Sequence, residues 1–400
     1  MVWNHETIYR WRMNARKPTD RNLRRGWTTG ACATAATKAA LSALFSGTFP
    51  DPVEITLPKG EKPRFALCRE RLGADHAMAS IVKDAGDDPD VTHGAEIIVT
   101  LRRGAAGSGI IFSAGPGVGM VTRAGLPVPP GEPAINPVPR KLMREVVETL
   151  CDEFAQPHDI IIEISVSGGV ELALKTWNPR LGIIGGLSIL GTTGIVHPFS
   201  CAAWIHSIHR GVDVARAAGL THIAGSTGST SEAAVQALYD LPDIGLMDMG
   251  DFAGGLLKYV RSHPVPRLTI AGGFAKLVKL AQGALDLHSG RSQVDFEWLA
   301  LRIRALGGSP GLVEKSRIAN TAAEVLSLAV EEAGTVAEAL TLEVARRAEQ
   351  TARTALEKSG AGSGVVLDIL IVGRDGRILA NTADDRGAMG IGYLGNRAGN

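Results

Sequence analysis

Short apolar stretches fill the first half of the chain, and longer glycine-broken apolar runs fill the second. VEITL (53–57), RFALC (64–68), MASIVKD (78–84) and AEIIVTL (95–101) have the length and composition of strands, with Gly, Pro and Asp between them. The alanine-rich ACATAATKAALSALF (31–45) follows Thr28-Thr29-Gly30 and predicts a helix with a threonine cap. RKLMREVVETLCDEF (140–154) repeats apolar residues at helical spacing, and DIIIEISVS (159–167) reads as a buried strand. These pieces predict an N-terminal α+β domain over residues 26–178, with Lys175–Pro179 as the connection that leaves it.

From Leu181 the pattern changes. LGIIGGLSILG (181–191), HIAGSTGSTSEAAVQAL (222–238), IGLMDMGDFAGGLLKYV (244–260) and RLTIAGGFAKLVKLAQGAL (267–285) each run from apolar residues through a glycine loop toward a helical stretch. Repeated strand–loop–helix units predict an α/β domain over residues 179–380, with a mainly parallel sheet and glycine-rich strand-to-helix loops. A long helix follows, then a strand VVLDILIV (365–372), a turn at Arg374–Arg377 and ILAN. Residues 1–25, rich in basic side chains, and residues 381–400 are expected to be flexible tails.

Composition narrows the class. With 45% hydrophobic and 21% charged residues and a net charge of +1, the chain is globular and lacks the basic surface of a nucleic-acid binder. Cys32, Cys68, Cys151 and Cys201 are widely spaced without a C-x-x-C, which gives neither a disulfide framework nor a zinc site. No apolar stretch is long enough to span a bilayer and no signal core opens the chain, so the expected compartment is the cytoplasm, with no membrane partner.

Forty-eight glycines direct attention to loops. Gly115, Gly117 and Gly119 alternate in SAGPGVGMVT, where successive N–H groups could converge on an anion, although neither phosphate-loop nor dinucleotide spacing is present. In Leu181–Val196, Gly182, Gly185, Gly186, Gly191 and Gly194 break an apolar run, and Thr192 and Thr193 add hydroxyls. Gly225-Ser226-Thr227-Gly228 precedes another helix, with Glu232 in its first turn, and Asp251 follows a third apolar run where a carboxylate suits a ribose or an amine. Lys276 and Lys279 lie three apart on one helix start. The stretch from Lys83 to Gly94 gathers Asp84, Asp87, Asp88, Asp90 and His93, either as a polar loop or as oxygen ligands for a divalent ion. His197 is a further isolated histidine.

Five of these segments spell one family. RRGWTTGACATAATKAA, KDAGDDPDVTHGAEI, SAGPGVGMVTRAGLPVPPGEPAINPVPR, NPRLGIIGGLSILGTTGIVHP and GGFAKLVKLAQGALDLHS occur in the order found in the CbiD family, and the chain resembles that family from about Arg25 to His288, more loosely to Leu379. The resemblance implies C1 methylation of a cobalt-bearing corrin precursor. It implies S-adenosyl-L-methionine as methyl donor, with cobalt present only as part of the substrate and no metal held by the protein. The loops lack the glycine signature of the commonest methyltransferase fold, so the donor pocket is expected from the loops themselves, at Gly185, Gly186, Gly191, Thr192, Thr193, Ser226, Thr227 and Asp251. The carboxylate-bearing macrocycle falls to Arg123, Arg140, Arg180, Lys276 and Lys279, which suit carboxylates, with Thr28 and Thr29 beside them. Asp84, His93 and His288 are its candidate acid–base groups, needed only if the attacking carbon must first lose a proton. Partners would be the small-molecule corrin and, transiently, neighbouring enzymes of the pathway. Two alternatives stand beside it: a small-molecule kinase using Gly115–Gly119, and a non-catalytic tetrapyrrole carrier.

Overall fold

A computed structural model describes residues 23–358 and 364–383, so both expected tails lie almost wholly outside the described residues. The chain forms two compact units, one ending at Ala203 and the next beginning at Trp204, within the first turn of a helix.

In the first unit, β1 (Gly26–Trp27) leads into α1 (Thr29–Ser46). Thr28 accepts a hydrogen bond from the Ala31 amide at the helix start, and Gly47 ends the helix at φ 80°. Ala31, Ala33, Ala35, Ala36, Ala39 and Ala40 are fully buried, so small side chains let this helix lie close against a sheet. A short pair, β2 (Val53–Glu54) and β3 (Arg64–Phe65), comes next, where the sequence suggested longer strands. The main sheet contains β4 (Arg69–Leu72), β5 (His76–Val82), β6 (Glu96–Arg103) and β7 (Ile110–Ala114). After two short strands, β8 (Gly117–Val118) and β9 (Met120–Val121), come α2 (Pro137–Glu153) and β10 (Ile160–Val166). The sheet order is β4-β5-β6-β10-β7, antiparallel except where β10 meets β7. Strict alternation of buried and half-buried residues along β10 gives the sheet one core face.

The first of the expected strand–loop–helix units belongs here and not to the parallel sheet. After the short helix α3 (Gly169–Ala173), residues 181–196 form only two-residue strands: β11 (Ile183–Ile184) pairs with β9, β12 (Gly186–Leu187) with β8, and β13 (Ile195–Val196) with β1. No helix starts at Thr192-Thr193; the next, α4 (Cys201–Ala217), begins later. Residues 179–203, expected to open the second domain, therefore pair with the first unit.

The second unit is the parallel sheet. It runs β14 (His222–Ser226), α5 (Ser229–Tyr239), β15 (Leu246–Asp248), α6 (Ala253–Ser262), β16 (Arg267–Gly273) and α7 (Phe274–Ala281). Then come α8 (Phe296–Ala305), α9 (Pro310–Arg317), α10 (Ala322–Glu332), α11 (Gly334–Glu357), β17 (Val366–Val372) and β18 (Ile378–Asn381). The single long helix expected before β17 is two helices, interrupted by the extended Ala333. Strand order is β15-β14-β16-β17-β18, parallel except for β18. Strands β16 and β17 are apolar nearly throughout because both faces are covered. Val235 of α5 packs on one face, while α6, α7 and α11 share the larger core on the other.

Each unit buries a charged pair. Lys83, with only 1% of its side chain exposed, donates to Asp90 at 2.7 Å, and Asp90 also accepts from the Thr92 amide and hydroxyl. Burial works to raise the Asp90 carboxyl, but the Lys83 charge and these hydrogen bonds more than offset it and hold it below the usual range. In the second unit Arg267 donates to the buried Asp368 at 2.6 Å and stacks on Tyr239. His222 meets the Thr269 hydroxyl at 2.8 Å, and burial, with Arg267 nearby, pushes its pKa down to about 4.

Asp90→Ala should cost about 3 kcal/mol in denaturant unfolding, because it strands the Lys83 ammonium, and adding Lys83→Met should recover most of that loss. The unfolded chain protonates His222 near its ordinary pKa of about 6.5 and the folded chain only near 4. Acidification through that window therefore costs stability, and His222→Gln should flatten the stability–pH profile there. A slope unchanged by His222→Gln would contradict this assignment.

Candidate active site

The glycine run 181–196 is locked backbone to backbone. A Cβ on Gly186 would stand 2.3 Å from the Gly117 carbonyl, and one on Gly169 would stand 2.3 Å from the same oxygen. Gly117 itself has φ +81°, and its own Cβ would lie 2.1 Å from the Val166 oxygen. No side chain fits at these contacts, so glycine is required for packing alone. The amides of Gly115, Val118 and Gly119 donate to the carbonyls of Ile164, Gly115 and Leu187. The loop considered for a kinase thus has these donors committed within the fold and does not offer them as a phosphate cradle.

Thr28 and Thr29 fasten the same run to α1. The Thr28 amide donates to the Gly194 oxygen at 3.0 Å, and its hydroxyl caps the helix. Thr29 accepts from the Leu190 amide at 2.9 Å and donates to the Leu190 oxygen at 3.2 Å. Gly191 has φ +137°, and a Cβ there would meet the Thr28 hydroxyl at 2.2 Å. Thr193 bonds locally to Ile195, while Thr192 and Gly185 are exposed. On the outer side of this ribbon Met120 and Ile184 sit opposite each other across β9 and β11, 36% and 54% exposed. Exposed Arg123 lies across Gly182, whose Cβ would come within 2.5 Å of it, and Arg180 lies 5.7 Å from the Trp177 ring centre. Arg140 faces its own loop, donating to the Ile135 and Pro133 oxygens and to Glu132.

Asp84 and His93 do come together, at 3.9 Å, but neither is set up as a base. Both guanidinium nitrogens of Arg24 grip the Asp84 carboxylate and, with the Gly86 amide, hold it below the usual carboxylate range. The Ala85 amide donates to His93 Nδ1 at 3.1 Å. A neutral His93 therefore carries its proton on Nε2, and that nitrogen donates. No cluster of three or more metal-ligating side chains occurs among the described residues. Asp88 of the acidic stretch accepts from the Phe199 amide at 2.8 Å.

His288 belongs to the second unit, and its Nδ1 likewise accepts from a backbone amide, that of Gly290, at 3.0 Å. The three acid–base candidates are thus divided between the units. Lys276 is ion-paired with Asp251, and Lys279 donates to the Leu287 oxygen at 3.0 Å. Burial, with Lys276 beside it, lowers the Lys279 pKa. Both lysines anchor the segment after α7.

Ser226, Thr227 and Asp251 gather at the carboxyl ends of the parallel strands. The Gly250 amide donates to the Ser226 oxygen at 3.0 Å, and the Thr227 amide donates to the Ala271 oxygen at 2.9 Å. The Ser226 side chain is 1% exposed, and its hydroxyl has no hydrogen-bond partner among the described residues. Helices α5 and α7 open on Gly228 and Gly273 without a side-chain cap. A Cβ on either glycine would meet nothing within 4 Å. The sequence points to Ser226 and Thr227 as donor residues and to the loop at Gly272 and Gly273 only for its lysines; the sheet order brings the two loops side by side.

The sequence matches the CbiD family over residues 16–198 and the CbiD C-terminal domain over residues 286–383. A protein named cobalt-precorrin-5B C(1)-methyltransferase from Brucella abortus (strain S19) is 62% identical over 365 residues, covering 91% of this chain and 97% of that relative. One of the same name from Brucella anthropi is 62% identical over 358 residues, covering 90% and 95%. A solved structure of a cobalamin biosynthesis protein (cbiD) from Archaeoglobus fulgidus is 28% identical, covering 67% of this chain and 83% of that one at a TM-score of 0.38. With identity this high over nearly the full length of its relatives, the chain belongs to the CbiD family.

Proposed function

We propose that the chain methylates C1 of cobalt-precorrin-5B in cobalamin biosynthesis, with S-adenosyl-L-methionine as donor and cobalt arriving inside the substrate. The observation that carries this reading is the 62% identity to a cobalt-precorrin-5B C(1)-methyltransferase over 97% of that protein. No described helix is long and apolar enough to cross a membrane, and we place the reaction in the cytoplasm.

The donor, when bound, supplies an electrophilic sulfonium methyl group. The protein's task is then to hold donor and acceptor in line and exclude water, and no nucleophilic side chain is required. For the macrocycle, exposed Arg123 beside Met120 and Ile184 offers a cation next to an apolar ledge. Arg180 stands nearby in sequence, while Arg140, Lys276 and Lys279 serve by fixing their loops. His93 Nε2–H suits a substrate carboxylate, as a donor that orients it.

Incubating the purified chain with cobalt-precorrin-5B and methyl-deuterated donor should place one labelled methyl at C1, with no dependence on ATP. Label at another ring carbon, or turnover that needs ATP, would contradict the reading. His93→Ala should raise KM for the corrin about tenfold and leave kcat nearly intact. A fall in kcat of about a hundredfold would instead mark His93 as a proton-transfer group.

A further inference from the structure

We infer that the methyl donor binds in the second unit, in the crevice between the carboxyl ends of β14 and β16, under the opening turns of α5 and α7. The inference rests on the methyltransferase reading and assigns the donor to one of two rival loops, Gly185–Thr193 and Ser226–Gly228.

Topology sets the place. In chain order the sheet runs 2-1-3-4-5, so the connections leave β14 and β16 in opposite senses. The loop after β14 turns to the face covered by α5, and the loop after β16 turns to the face covered by α7. The reversal falls between these two adjacent strand ends, and in doubly wound sheets ligands bind at such a point.

Two observations mark it as built for a ligand. First, alternation along β14 puts Ser226 on the same face as Ala224, beneath the start of α5, where its buried hydroxyl has no partner. Buried hydroxyls are nearly always paired, so this one has a hydrogen bond to offer an incoming ligand. Second, Gly228 and Gly273 occupy helix-capping positions where Ser, Thr or Asp would stabilise more. Backbone geometry demands glycine at neither, since Gly228 is extended at φ 171° and Gly273 has φ −70°. Packing demands it at neither, because a Cβ would meet nothing within 4 Å. What a side chain would fill is the crevice itself.

The chemistry fits an adenosyl amino acid. Uncapped helix-start amides suit its carboxylate, and the Ser226 hydroxyl can pair with one of its ribose hydroxyls or its amine. The Asp251–Lys276 pair closes the next loop beside it. In the rival loop Gly186 and Gly191 are pressed against Gly117 and Thr28, Gly185 is open but its φ of +88° itself calls for glycine, and Thr193 is bonded to Ile195.

Calorimetric titration of the full chain with S-adenosylhomocysteine tests this, alongside thermal melting without ligand. Gly228→Val and Gly273→Val should each weaken binding by about tenfold or more at an unchanged melting temperature. Ser226→Ala should weaken binding while the ligand-free melting temperature holds or rises, because an unpartnered buried hydroxyl is removed. Wild-type affinity in all three variants, or loss confined to Thr192→Val in the rival loop, would overturn the site and leave the methyltransferase reading standing. Unfolding of both glycine variants would contradict the open space on which the site rests. A wild-type chain that binds no S-adenosylhomocysteine would overturn both.

Discussion

The absent side chain of glycine organises both units, in opposite ways. In the first, the missing Cβ is filled by another stretch of backbone: Gly186 and Gly169 press on Gly117, and Gly191 presses on Thr28. Any side chain larger than hydrogen would separate β8 from β12 and loosen the run 181–196 from α1. The sheet β4-β5-β6-β10-β7 can form from its own alternation, but the ledge carrying Met120, Ile184 and Arg123 depends on these contacts. In the second unit Gly228 and Gly273 leave their space open at the ends of parallel strands. One residue type thus closes a scaffold in one place and reserves room in the other.

This difference explains what could be read from the sequence. The strands 160–166 and 366–372, the helix after Thr28 and the parallel units from His222 onward were legible because period-2 alternation, helical spacing and apolar runs act locally. The run 181–191 misled for the same reason. Its apolar residues and glycines match a buried parallel strand, and only pairing with residues more than sixty positions earlier makes it part of the first unit. The strand order, and with it the crevice, depends on long-range pairing that local pattern does not encode.

The candidate site was legible at the level of motifs and less so at the level of roles. Ser226, Thr227 and Asp251 do converge. Thr28, Thr29, Arg140, Lys276 and Lys279 turn out to hold backbone or one another's neighbours, since a polar residue in a motif serves architecture as readily as a ligand. The surroundings of His93 and His288 were invisible in sequence, because in each a backbone amide from the fold points at Nδ1. Family membership carries the reaction more firmly than any one side chain does.

On our proposal the donor sits at the open glycines of the second unit and not at the packed glycines of the first. Amide hydrogen exchange of the full chain, with and without S-adenosylhomocysteine, tests it most directly. Slower exchange is expected at residues 226–231 and 272–276 on binding, with residues 182–194 unchanged. Protection confined to residues 182–194 would contradict it.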